Sequence, residues 1–126
     1  MLLLVLLACN DKNVTCTLES RSSVVVTILS ESGLDEPTLT YSVGDGEVQE
    51  AEAYQEDRWI AGWEESGTIQ LTAEANICPD LPECICIAQE VVEVLVPLTN
   101  DGCHVVTQEL TISLDQDDII EEACLD

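Results

Sequence analysis

Between residues 10 and 114 no stretch of this chain shows a helical period, while several segments place apolar residues at every second position or in short β-branched runs, a pattern that predicts strands rather than helices. The cleanest stretch is Thr68 to Ala75. It sets Ile69, Leu71, Ala73 and Ala75 on one face and Thr68, Gln70, Thr72 and Glu74 on the other. Val24 to Leu29 is a β-branched apolar run and predicts the first strand. Ser30 to Pro37 holds Gly33, Asp35 and Pro37, a turn cluster. Leu39, Tyr41 and Val43 then alternate, Gly44-Asp45-Gly46 supplies a hairpin turn, and Val48 to Tyr54 reads as the returning strand. Trp59 to Trp63 is a short apolar stretch ended by the turn Glu64-Glu65-Ser66-Gly67. Residues 76 to 84 read as a loop. Cys86 to Val96 is apolar and β-branched, interrupted by Glu90 and Glu93. Asn100-Asp101-Gly102 is a turn, and Val106 to Leu114 offers Val106, Leu110, Ile112 and Leu114 to a core.

About seven short strands separated by turn residues predict an all-β fold, a single small antiparallel β-sandwich over residues 23–114. The acidic stretch 115–126 is expected as a solvated tail, with one or two helical turns between Gln116 and Ala123. A chain of 126 residues allows one domain and buries roughly 65% of its unfolded surface, so cross-links would help it.

The start of the chain has a different character. Leu2 to Ala8 is an unbroken apolar run, too short for a bilayer span, which needs about 20 residues. It fits the apolar part of a signal peptide over residues 1–8. Leu6-Leu7-Ala8-Cys9 resembles the lipobox of bacterial lipoproteins. The resemblance implies cleavage before Cys9, lipidation of its sulfur and a membrane anchor, with residues 9–22 as lipidated cysteine and tether. No Lys or Arg precedes Cys9, which departs from the lipoprotein pattern, and the expectation is a start assigned too far downstream. The same resemblance implies, through the family's sorting rules, that Asn10 after the lipidated position favours the outer membrane in a cell with two membranes.

Charge narrows the possible partners. Twenty-six acidic residues against Lys12, Arg21 and Arg58 give a formal net charge of −23. Such a chain repels nucleic acid and anionic headgroups, so a nucleic-acid partner is excluded. With 46% hydrophobic residues it is not a disordered acidic tail. A protein or cation partner stays open.

Six cysteines remain beyond Cys9: Cys16, Cys78, Cys84, Cys86, Cys103 and Cys124. An even number in an exported chain predicts disulfides. Cys84 and Cys86 share a face if they lie on a strand, so Cys78 is expected to pair locally with one of them. The other is expected to reach Cys103 or Cys16. The rival reading is a soft-metal site from Cys78, Cys84, Cys86 and His104, although the spacing matches no familiar zinc pattern. His104 is the only histidine and is read as a partly buried residue beside a bridge; no Gly-x-Ser-x-Gly elbow accompanies it. Trp59 and Trp63 are expected in the core, the alternative being an exposed binding platform. Asp115, Asp117, Asp118, Glu121 and Glu122 are weak candidates for calcium, lacking the glycine and spacing of an EF-hand loop.

Several passages together resemble the carboxypeptidase-regulatory-like domains of bacterial lipoproteins, a prealbumin-like β-sandwich class. They are Val24-Val25-Val26-Thr27-Ile28, Tyr41-Ser42-Val43-Gly44-Asp45-Gly46, Gly62-Trp63-Glu64-Glu65-Ser66-Gly67-Thr68-Ile69-Gln70-Leu71, and Cys103 to Leu114. The resemblance carries no catalytic residue and no cofactor. The expected function is therefore a non-enzymatic, lipid-anchored envelope protein, a structural or adhesion module. The alternative is a calcium- or small-ligand-binding lipoprotein.

Overall fold

The structure, a computed structural model, describes Cys16 and residues 18–125. The signal-peptide stretch, Cys9 and most of the tether lie outside the described residues.

Nine strands follow one another: β1 (Ser22–Leu29), β2 (Asp35–Val43), β3 (Gln49–Glu50), β4 (Glu52–Gln55), β5 (Arg58–Trp63), β6 (Gly67–Asn76), β7 (Cys84–Val96), β8 (Gln108–Ser113) and β9 (Ile119–Cys124). They form a four-stranded sheet in the order β4-β5-β1-β8 and a five-stranded sheet in the order β3-β2-β6-β7-β9. The result is a small disulfide-bonded β-sandwich. Its neighbours are antiparallel except β1 and β8, which run parallel with Val24 opposite Gln108 and Leu29 opposite Ser113.

The alternation seen in the sequence decides which side chains meet between the sheets. Val24, Val26 and Ile28 of β1 are fully buried beside Trp59 and Ala61 of β5 and Ile112 of β8. Facing them are Leu39 and Tyr41 of β2, Ile69, Leu71, Ala73 and Ala75 of β6, and Cys86, Ala88 and Val96 of β7. A fully buried Val, Leu or Ile contributes about 1.5–3 kcal/mol, so this layer is the main source of stability.

Four expectations need correction. The returning strand over Val48–Tyr54 is broken at Ala51: β3 pairs with β2 in one sheet, and β4 pairs with β5 in the other. Ala51 donates its N–H to Leu39 O at 2.9 Å and carries the chain across the edge of the sandwich. The acidic tail is not free in solvent. A 3-10 turn, Gln116–Asp118, leads into β9, which pairs antiparallel with β7. Asp115 caps that turn, accepting Asp117 N–H at 2.9 Å, while Asp118 accepts Asp115 N–H in return. The helical expectation is thus reduced to one turn. Trp59 is buried but Trp63 is half exposed, its indole N–H donating to Glu52 at 3.3 Å.

Candidate functional site: the two ends of the sandwich

Chemistry-bearing residues collect at the two ends of the sandwich, where loops leave the sheets. One end holds the start of β1, the β5–β6 turn and the loop between β7 and β8. The other holds the β1–β2 and β6–β7 loops and β9.

At the first end the arriving chain is clasped. Cys16 is joined by a disulfide to Cys103 in the β7–β8 loop. Thr107 Oγ1 donates to Ser22 O at 2.6 Å, tying the same loop to the first residue of β1. Glu64 sits in the β5–β6 turn with φ +54, in the left-handed region that residues other than glycine seldom enter. One oxygen of that carboxylate accepts Arg21 N–H at 3.1 Å and lies 2.5 Å from His104 Nδ1; the other accepts Val105 N–H at 3.0 Å. Glu64 N–H donates to Arg21 O at 2.8 Å, so the two segments are locked in both directions. Beside them Glu65 N–H donates to the buried Ser23 hydroxyl at 2.7 Å. Gly62, at φ +88, makes room: a Cβ there would stand 3.3 Å from Ser23 Oγ.

Burial pushes the Glu64 carboxyl up, but the His104 ring and then the Val105 and Arg21 N–H groups favour the carboxylate, and the balance lies below the usual value. His104 is only 6% exposed. In the loop around it Asp101 accepts Cys103 N–H at 3.0 Å, and Thr99 Oγ1 accepts His104 N–H at 3.3 Å. The Thr99 hydroxyl and the Cys103 N–H hold the Asp101 carboxyl below its usual value. The sequence predicts His104 as a partly buried residue beside a bridge, and the Cys16–Cys103 bond is next to it in the chain. The sequence offered no sign that Glu64, 40 residues away, is its partner, because Glu64 looked like an ordinary turn residue.

At the other end two disulfides staple the β6–β7 loop. Cys78 joins Cys86, and Cys84 joins Cys124. The local pair involves Cys86, whereas Cys84 bonds to Cys124 rather than to Cys103 or Cys16. The physical reason is β9: its pairing with β7 puts Cys84 directly opposite Cys124. Asn76 Oδ1 accepts both Cys78 N–H at 3.1 Å and Cys86 N–H at 2.9 Å, which shapes the loop further. Ser32 Oγ donates to Ile77 O at 2.7 Å and so joins the β1–β2 loop to it. Gly33 packs against Pro79; at φ +98, a Cβ there would stand 3.1 Å from the proline ring.

The rival metal set does not assemble. Its three sulfurs are disulfide-bonded at one end, while His104 lies at the other, beyond the far end of β7. The calcium candidates are also dispersed: Asp115 and Asp118 cap each other's turn, and Glu121 and Glu122 are successive residues of β9 pairing opposite Ile87 and Cys86. Among the described residues no group of three or more His, Cys, Asp or Glu is arranged to hold a metal ion. No cysteine among them is free, and no helix among them is long and apolar enough to cross a membrane.

Compared with known proteins, the chain matches no family model, no curated protein and no solved structure.

Proposed function

We propose that this protein is a non-enzymatic, lipid-anchored module of the bacterial envelope, held through Cys9 and serving a structural or adhesive role. The observation that carries the reading is the clasp around Cys16. Only residues 10–15 separate Cys16 from the lipobox cysteine, and a fully extended link of that kind reaches about 25 Å at most. A load on the anchor therefore arrives at Cys16 and passes through the disulfide into the β7–β8 loop. It does not peel β1 from an edge, because β1 lies inside its sheet, bonded to β5 on one side and β8 on the other.

Three disulfides among the described residues support export, since such bonds persist in oxidising compartments. The passages that resemble a carboxypeptidase-regulatory-like domain fall within β1, β2, β5, β6 and β8 and the turns beside them, which supports that assignment of the sandwich. Asn10 supports the outer membrane where a cell has two.

The test is replacement of Cys9 by serine in a bacterial host, followed by fractionation and intact mass measurement. The native chain is expected in the membrane fraction with an acyl mass and lacking its first eight residues. The Cys9→Ser chain is expected in the soluble fraction with its bridges still formed. Equal membrane retention of both chains, or a native chain found reduced in the cytosol, overturns the proposal.

A further inference from the structure

The end of the sandwich away from Cys16 carries a half-open groove of about 690 Å³ between the β1–β2 loop, the stapled β6–β7 loop and β9. Its apolar part is Ile77, Leu81, Ile119 and the Cys78–Cys86 bridge; its polar rim includes the carboxylates of Glu31, Asp80 and Glu122. It shares Glu31 and Ser32 with a neighbouring hollow of about 400 Å³ that adds Asp115 and Asp117. Neither is lined by a basic residue. The two described arginines are engaged elsewhere: Arg21 with Glu19 at 3.0 Å and Arg58 with Glu109 at 3.8 Å.

The covalent bonds around the groove point to a shape that is maintained. The Cys78–Cys86 bridge spans eight positions and stabilises the whole fold least of the three, because the entropy of closing a loop grows with its length. Its effect is local. It fixes the groove wall, helped by Asn76, Ser32 and the Cys84–Cys124 bond. A wall held rigid before a ligand arrives loses little entropy on binding.

We propose that this groove docks an extended Lys- or Arg-bearing segment of a partner protein. The alkyl stem of such a side chain suits the apolar floor and its charged head the carboxylate rim. The volumes of the two hollows, about 690 and 400 Å³, leave room for a peptide segment rather than a single ion, in keeping with the lack of any three-residue metal cluster among the described residues. The proposal rests on the reading of the domain as an interaction module, and is independent of the anchor.

The experiment measures binding of a fluorescent hexapeptide of alternating lysine and alanine to the full chain in non-ionic micelles, by anisotropy at physiological salt. Two triple variants with equal net charge are compared: Glu31→Gln/Asp80→Asn/Glu122→Gln in the groove, and Glu47→Gln/Glu50→Gln/Glu93→Gln outside it. The groove variant is expected to weaken binding about tenfold or more and the outside variant by less than about twofold. Spermine or calcium at matched charge concentration is expected not to displace the peptide. Equal weakening in both variants, no binding to the native chain, or displacement by spermine or calcium overturns the proposal. A soluble Cys9→Ser chain that still binds the peptide would separate failure of the anchor from failure of the groove.

Discussion

The two ends of this sandwich are both cross-linked by disulfides, but the bonds differ in how much chain they enclose. At the Cys16 end one disulfide joins residues 87 positions apart, and a carboxylate takes three donors from segments far apart in the chain. At the groove end the bridges span 8 and 40 positions and shape a loop and an edge strand. A long-range link acts mainly on the unfolded chain, whereas a short one acts mainly on local shape. The comparison teaches that the Cys16–Cys103 bridge adds most to the stability of the whole and the Cys78–Cys86 bridge least, with Cys84–Cys124 between them, so it is the Cys78–Cys86 bridge that acts chiefly on the shape of the groove wall.

The largest expected effect tests that division directly. Loss of the Cys16–Cys103 bridge in a double serine variant should cost about 4–5 kcal/mol, against about 2.5 kcal/mol for the Cys78–Cys86 pair. Denaturant unfolding of the two oxidised variants measures both. Equal losses would break the comparison.

The next effect concerns Glu64. Glu64→Ala leaves the Arg21 and Val105 N–H groups and the His104 ring without their acceptor, and should cost about 2–3 kcal/mol at neutral pH. Its pH dependence has a definite sign. The Glu64 carboxyl lies below its ordinary value of 4.5 in the folded chain, so just below pH 4.5 the unfolded chain holds more protons there. This contribution is complete above that pH and is lost as pH falls through the folded value. Urea titrations across the acid range should show a smaller decline in Glu64→Gln than in the native chain. An unchanged slope would count against the clasp.

The smallest effect has the opposite sign and belongs to the other half of the molecule. Burial pushes the Glu90 carboxyl up, and Asp118 and Asp115 beside it push it further. The folded chain therefore binds that proton more tightly, and stability falls as pH rises from the ordinary value of 4.5 through the raised one. Glu90→Gln should raise stability at neutral pH by about 0.5–1 kcal/mol and change nothing at pH values well below 4.5. Melting curves at both pH values check this.

The all-β class and most of the strands were determined by the sequence alone. In β6 the apolar side chains fall on every second position, and only a pleated strand puts such residues on one face, while β1 was legible as a β-branched apolar run. The six cysteines were legible as a disulfide set, because an even count is what complete pairing requires. Tertiary structure decided everything that depends on distant partners. The break at Ala51 arises because the chain changes sheets there, and no local signal marks a change of partner. β9 is acidic and almost wholly exposed, so it has no apolar alternation to betray it; pairing with β7 and the Cys84–Cys124 bond make it a strand. The Glu64–His104 contact and the groove likewise join segments brought together by the sandwich. Local pattern specifies which face of a strand is buried, but the energy of a turn residue or a charged edge depends on neighbours that only folding supplies.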